Sequence, residues 1–513
     1  MGFAAGGLAA LPFLAESLEW LAWVSVVPLL LLLGSGRARG VRFCYVVGIG
    51  FVAIGTFWLW KLSGLLALLV ALSFGLYFAP LAAVPWVRRR APTLPMWVYV
   101  PAVWTFLESL RYTVSVLPTT WLNLGYTQAQ VLPLVQLAEW TGVAGVTLLL
   151  ALANSAMADM VLAFVWTRGH ADPSVLHSSR LWAVTGALVA VSLTAGAIWL
   201  GSARLRSVEA SLLDGPRVLL VQGNLSPSDR VGDETRAQVI GKQVRLTRDG
   251  LVPGVDLIAW AETMPLTPEL DETRRAELSE IVRALKLPLV TGGIGVARHQ
   301  GVRLPANSAF LVSPDGEIRG RYDKQVLLPF GEYIPILGGF EWFRKATGAA
   351  IARSTGFYPF LRPGHEDTLF ELEHRGKRLR FATPICYEDV LPASLARPTR
   401  RGADFFLVLS NENFYQVRQM EQHVDMAVFR AIETRRPVLR ATHTGRTCAI
   451  DPTGRVTARL DRDVEGTLLA TVRLSSLAAP GHGGEEILRW TCGLAVAVLG
   501  VALRLRHRVP RVA

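Results

Sequence analysis

Cysteine is scarce in this chain: four in 513 residues, at Cys44, Cys386, Cys448 and Cys492. So few cannot make a disulfide framework, and no spacing resembles a set of metal ligands, so neither a metal nor any other cofactor is expected. Charge is thin as well, at 18% of residues. No low-complexity tract and no internal repeat at a fixed period interrupts the chain. The net charge of +12 comes without any RNA- or DNA-binding motif, and many arginines flank hydrophobic segments. That placement argues against a nucleic-acid partner and for a lipid surface.

Apolar residues are what the chain has in abundance, at 51% of the total, with a positive mean hydropathy. They crowd into the first 200 positions and a short stretch near the C-terminus. A bilayer-crossing helix needs about 20 apolar residues. Eight candidate segments follow: 3–14, 20–34, 42–61, 64–86, 95–111, 141–166, 181–200 and 487–505. Arg37, Arg39 and Arg42 follow the second, Arg88 to Arg90 the fourth, Arg168 and Arg180 bracket the loop after the sixth, and Arg504, Arg506, Arg508 and Arg511 follow the eighth. If all eight cross, these clusters share one face, which the positive-inside rule makes cytoplasmic. The expected organisation is a membrane domain over 1–205 with seven hydrophobic segments, an extracytoplasmic domain over 216–475 and a C-terminal transmembrane helix over 487–505. The loop 112–138, with Trp121 and Tyr126, reads as an interfacial aromatic belt or as the lining of a lipid entrance.

Residues 216–475 have the mixed composition of a globular domain. Short β-rich runs bounded by Gly, Pro, Asn or Asp recur at 217–221, 256–260, 287–290, 308–312, 379–385, 404–409, 437–441 and 447–450, and helical patterns cover 272–285 and 418–435. Together they predict a layered α/β sandwich.

Three residues stand where chemistry is plausible. Cys386 follows the apolar run Phe381-Ala-Thr-Pro-Ile385 and opens the polar stretch Tyr387-Glu388-Asp389. A strand-to-helix turn can hold a nucleophile beside amides that bind an oxyanion, although free cysteines are more often buried small hydrophobes. Glu262 ends Leu257-Ile-Ala-Trp260-Ala261. A carboxylate there must be solvated, paired or used, and a desolvated one is suited to take a thiol proton. Lys324 precedes an apolar run leading to Pro329-Phe330-Gly331-Glu332. It is an ordinary surface charge unless it lies near the thiolate, where it would favour ionisation and steady an oxyanion.

Order and context together carry more than any one of these. Trp260-Ala-Glu262-Thr, Tyr322-Asp-Lys324 with Leu-Pro-Phe-Gly-Glu332-Tyr-Ile-Pro335, and Ile385-Cys386-Tyr387-Glu388 resemble the apolipoprotein N-acyltransferases, the membrane branch of the nitrilase (carbon–nitrogen hydrolase) superfamily. Further matches are Val221-Gln-Gly-Asn224, Thr291-Gly-Gly-Ile294, Asn307-Ser-Ala309, Ser410-Asn411, Arg440-Ala-Thr-His-Thr444-Gly445, and, among the hydrophobic segments, Glu108-Ser-Leu-Arg111 and Leu124-Gly-Tyr126-Thr-Gln128. The resemblance covers nearly the whole chain.

It implies a multi-span helical membrane domain joined to an α-β-β-α nitrilase-like sandwich. It implies Glu262, Lys324 and Cys386 as the catalytic triad, with Glu332, Tyr387 and Glu388 assisting in the pocket and Asn411 on a loop near the substrate. The implied reaction moves a fatty acyl group from a membrane phospholipid, through a thioester on Cys386, to the α-amine of an apolipoprotein's diacylglyceryl-cysteine. The implied location is the bacterial inner membrane with the catalytic domain on the periplasmic side. Phe330, Tyr333, Phe340 and Trp342 are candidates for a lid that excludes water from the thioester, or for ordinary core. Departures occur at Ala261, where the family has Pro, at Glu412-Asn-Phe-Tyr-Gln416, where it continues Asp-Ala-Trp-Phe-Gly, and in the missing Trp after Asn224. They bear on substrate preference more than on chemistry.

Two rivals share parts of this pattern. One is a membrane-tethered amidase or nitrilase using the same triad with water as acceptor, which would not need eight spans. The other is a catalytically idle scaffold or transporter. Against the latter, ionisable residues are concentrated outside the spans and no repeat symmetry is visible.

Overall fold

The computed structural model describes the chain except for residues 114–118, 167–172, 226–232, 300–301, 330, 335–339, 341, 343–345, 348–359, 414–416, 482 and 507–513. The chain divides into two compact units, Met1–Ser207 with Gly481–Ala513, and Val208–Pro480.

The first unit is helical. All eight hydrophobic runs fall on helical segments. Among the described residues, five helical stretches are long and apolar enough to cross a membrane: Glu16–Gly34, Gly64–Arg90, Ala138–Val165, Ser179–Ala210 and Gly484–Leu505. Gly2–Phe13 and Val41–Gly55 are apolar but shorter. Helix Met96–Thr113 is outside that set and carries Glu108 and Arg111, both buried. Glu108 accepts hydrogen bonds from Trp104 Nε1, the Leu124 amide and Thr147 Oγ1, each at 2.9 Å. Arg111 donates to the Leu122 carbonyl at 3.0 Å and to Asn123 Oδ1 at 2.8 Å.

The hydrophobic segment 95–111 thus holds a buried Glu–Arg pair, tolerated there because hydrogen bonds to both side chains offset a burial that single charges could not bear. One expectation changes here. The loop carrying Trp121 and Tyr126 is not an exposed belt. Both side chains are buried, Trp121 packs on Trp58 with ring centroids 5.8 Å apart, and the loop's backbone is held by Glu108 and Arg111.

The second unit contains two six-stranded sheets. The strands are β1 Leu212–Gln222, β2 Leu257–Trp260, β3 Leu289–His299, β4 Val302–Val312, β5 Ile318–Asp323, β6 Phe370–His374, β7 Lys377–Ala382, β8 Phe405–Ser410, β9 Val438–Thr442, β10 Cys448–Ile450, β11 Val456–Arg459 and β12 Gly466–Ser475. The first sheet runs β12-β1-β2-β3-β4-β5 and the second β11-β10-β9-β8-β7-β6. β1, β2 and β3 pair in parallel, as do β7, β8 and β9. All four residues of β2 and all six of β8 are buried, which is why these central strands are continuously apolar rather than alternating.

One apolar layer lies between the sheets, with Leu220, Leu257 and Ala309 from the first and Phe381, Phe405 and Leu439 from the second. The outer face of the first sheet packs Trp260, Ile258 and Leu289 against Val239 and Ile240 of helix Asp233–Gly250 and Leu278 and Val282 of helix Glu272–Leu285. The latter helix is capped by Asp271, which accepts from the Thr273 and Arg274 amides at 2.9 and 3.3 Å. Such a cap contributes about 1 kcal/mol, and each fully buried Leu or Val about 1.5–3 kcal/mol. Helix Val417–Thr434 belongs to the second-sheet half and is almost wholly buried. The layering is the α-β-β-α sandwich that the resemblance implied.

Candidate active site

Functional side chains in sandwiches of this kind gather at the carboxyl ends of parallel strands, where the chain leaves the sheet and backbone groups are free to bind. Three such ends and the end of one antiparallel edge strand meet here. Glu262 follows β2, Cys386 lies four residues beyond β7 and Asn411 follows β8, while Lys324 follows β5, which pairs antiparallel with β4.

Glu262 is 3% exposed. Its Oε1 accepts from Asn307 Nδ2 at 2.7 Å and faces Lys324 Nζ at 3.3 Å. Its backbone is fixed on both sides. His443 Nε2 lies 2.5 Å from the Glu262 carbonyl, and Gly292 packs so closely that a Cβ there would sit 2.7 Å from Glu262 Cα. That contact explains Gly292, and the second glycine of β3, Gly293, answers to the Leu266 carbonyl oxygen, 2.8 Å from where its Cβ would sit.

Lys324 is 1% exposed. Its ammonium also pairs with Glu332 Oε2 at 2.9 Å. Burial works against the charge, but Glu262, Glu332 and Cys386 outweigh it and hold the amine above its usual range. Asn307 bridges the two carboxylates through one amide nitrogen, 2.7 Å from Glu262 Oε1 and 2.7 Å from Glu332 Oε1. Its carbonyl accepts from the Lys324 backbone N–H at 2.8 Å. Glu332 is buried, and its Oε2 further accepts from the Leu328 amide at 2.8 Å.

Cys386 opens a short 3-10 turn, Cys386–Val390, with φ of +51°. A non-glycine residue in that region costs on the order of 1–3 kcal/mol and persists only when its surroundings hold it. Here Glu388 does much of the holding. Its carboxylate accepts from the Ile385 amide at 2.8 Å, the Gln325 amide at 2.7 Å, the Val326 amide at 3.0 Å and the Tyr322 hydroxyl at 2.9 Å. The nucleophile turn is thereby tied to the segment that carries Lys324. Burial, reinforced by the Glu262 charge, pushes the Cys386 thiol up to about 12 against the opposing pull of Lys324, the Ser410 hydroxyl and the Asn411 N–H. The resting thiol is therefore protonated at neutral pH and needs a base during attack.

The structure thus brings Glu262, Lys324, Glu332, Cys386 and Asn411 to one buried site. It gives Glu388 a clamping position and buries Tyr387 beside the nucleophile. Sequence reasoning did not single out Asn307 or His443, although both lie in quoted motifs. Neither carries a local sequence signal beyond its motif. Of the lid candidates, Phe340 and Trp342 are exposed, at 51% and 66%, which removes them from the core. Tyr333 is partly exposed, and Phe330 lies outside the described residues. Among the described residues no group of three or more His, Cys, Asp or Glu side chains is arranged to hold a metal.

The second unit's layering and strand-end site define a carbon–nitrogen hydrolase domain, and the model of that family matches residues 250–479. The model of the apolipoprotein N-acyltransferase N-terminal domain matches residues 5–156. An apolipoprotein N-acyltransferase of Geobacter metallireducens is 31% identical over 99% of this chain and 95% of its own length. That of Azotobacter vinelandii is 32% identical over 100% of this chain and 96% of its own. An amidase from Nesterenkonia sp. AN1, solved with an acetamide moiety on its active-site cysteine, aligns at 17% identity and TM-score 0.36 over 51% of this chain and 91% of that one, too weak a likeness to bear on function. The chain belongs to the apolipoprotein N-acyltransferase family. With five span-length apolar helices among its described residues, it is a membrane protein.

Proposed function

We propose that this enzyme transfers a fatty acyl group from a membrane phospholipid to the α-amine of the N-terminal diacylglyceryl-cysteine of apolipoproteins, with Glu262, Lys324 and Cys386 as its catalytic residues. The observation that carries the reading is the convergence of a protonated thiol, a carboxylate and an ammonium in one buried site, in a chain of this family.

In the first half-reaction Glu262 takes the thiol proton as the sulfur attacks the ester carbonyl carbon. The tetrahedral oxyanion is held by the Lys324 ammonium and the Asn411 N–H. The carbon–oxygen bond breaks, the proton passes from Glu262 to the departing lysophospholipid hydroxyl, and a thioester remains on Cys386. In the second half-reaction the acceptor amine attacks the thioester carbonyl, Glu262 takes the amine proton and returns it to the leaving sulfur, and an amide is released. Glu332 and Asn307 hold Lys324 and Glu262 in place. Tyr387 and Asn411 lie beside the sulfur where the acyl chain arrives, and Glu388 fixes the turn.

We assign residues 1–205 and 487–505 to the membrane and 216–475 to the catalytic domain, in the bacterial inner membrane with that domain on the periplasmic side. The arginine clusters after the hydrophobic segments support this orientation. Hydrolysis of a small amide by the same triad is disfavoured, since the family match extends through the membrane unit. The test is complementation of a strain depleted of its own N-acyltransferase. Wild type should restore growth and triacylated lipoproteins, and Cys386→Ala should not. Rescue by both, or by neither, would overturn the assignment.

A further inference from the structure

Four ionisable side chains beneath the nucleophile turn are fully buried and take no part in the chemistry above: Asp389, Glu412, His423 and Arg440, all 0% exposed. Arg440, from the middle of β9, pairs with both Asp389 and Glu412. His423, from helix Val417–Thr434, bridges the same two carboxylates, with Nε2 2.5 Å from Asp389 and Nδ1 3.1 Å from Glu412. The result is a closed square of two acids and two bases drawn from four segments.

Its corners touch the reaction at two points. Asp389 shares a five-residue turn with Cys386. Glu412 is next in sequence to Asn411, whose backbone N–H is directed at the Cys386 sulfur. Glu412 is itself pinned, since its Oε2 accepts from the Arg446 amide at 3.2 Å and Gly445 lies so close that a Cβ there would collide with the carboxylate. An apolar plug of equal volume would be as stabilising as a buried ionic cluster or more so. What the square supplies that a plug would not is a fixed distance between two carboxylate-bearing loops.

We infer that Asp389, Arg440, His423 and Glu412 are positioning residues that hold the sulfur and the Asn411 amide in register, so that the amide meets the oxyanion as it forms. The inference rests on the function proposed above. Oxyanion donors act over a narrow range of about 2.7–3.1 Å, and losing one costs about 100-fold to 1000-fold in rate. A misplacement of about 1 Å is enough for a loss of on the order of 100-fold.

The test compares two reactions of the same thiol in the full-length protein, in vesicles of phosphatidylethanolamine and phosphatidylglycerol. Acylation of Cys386 by the phospholipid needs the oxyanion donors, whereas alkylation by iodoacetamide does not. Glu412→Gln should slow acylation about 100-fold while changing alkylation by less than about tenfold and leaving a cooperative thermal transition. Where Glu412→Gln does not fold, Glu412→Asp, which keeps the charge and shortens the reach by one methylene, carries the same comparison. Acylation within tenfold of wild type would overturn the inference. So would acylation and alkylation falling together in step with the folded fraction. Failure of the unaltered chain to acylate Cys386 at all would remove the proposed function itself, and this outcome is separable because it appears before any substitution.

Discussion

Replacing Lys324 by Met removes a cation that contacts both Glu262 and Glu332, at 3.3 and 2.9 Å, from a position 1% exposed. Among the described residues, the two carboxylates then remain buried with no counter-charge at contact distance. Breaking a buried ion pair from one side costs about 3–5 kcal/mol. For a domain of this size each kcal/mol moves the melting temperature by about 2–4 °C, so a fall of roughly 6–20 °C is expected. Activity should suffer separately, because the ammonium also steadies the oxyanion and favours the thiolate, and loss of such a donor is worth about 100-fold to 1000-fold. The double variant Glu262→Gln/Lys324→Met separates the two effects. It removes both partners of the pair and should recover part of the lost melting temperature while recovering no activity. The assays are thermal unfolding in detergent and transfer of labelled palmitate from phospholipid to a diacylglyceryl peptide. A Lys324→Met protein that melts with wild type, or transfers within tenfold of it, would refute the reasoning.

Other outcomes follow from the same geometry. The Cys386 thiol is raised from an ordinary value near 9 to about 12. Iodoacetamide labelling of Cys386 should therefore climb about tenfold per pH unit from pH 8 to 10 without a plateau, and a plateau below pH 8 would contradict this. The same shift bears on stability. The thiol's contribution is full below pH 9 and is lost between about pH 9 and 12, because the unfolded chain ionises first. Tyr322→Phe removes one hydrogen bond to the buried Glu388 carboxylate and should cost about 1.5–3 kcal/mol while transfer stays well above that of Cys386→Ala, as read by the same two assays. In the membrane unit, Glu108→Ala strands three donors, Trp104, Leu124 and Thr147, at about 1–3 kcal/mol each. Limited proteolysis should then open the loop around residues 119–129, which stays protected in wild type.

What the amino-acid sequence reveals of this fold depends on where each strand lies. β2 and β8 are buried on both faces, and their unbroken apolar runs announce them. β5, β6, β11 and β12 were not anticipated. β5 and β6 close one edge of each sheet, and β11 closes the other edge of the second. β6, Phe370–His374, buries only alternate residues, and β5 carries two arginines and a glycine, so neither has the hydrophobic weight of a central strand. The three residues proposed as catalytic drew notice because each sits just past a β-rich run in a distinctive context. The square of Asp389, Glu412, His423 and Arg440 was not. Each of the four reads alone as an ordinary surface charge, and only the packing of β9, two loops and a helix makes them neighbours. Asn307 was hidden for a related reason, since nothing local distinguishes an amide that bridges two carboxylates from one that faces water.

The central claim is a thioester at one sulfur, and peptide mass spectrometry tests it most directly. After incubation of the purified protein with phospholipid and no acceptor, the peptide containing Cys386 should carry one fatty-acyl group that hydroxylamine removes and that an added diacylglyceryl peptide discharges. Turnover with the Cys386 peptide persistently unmodified, or with the acyl group on a different residue, would contradict the account.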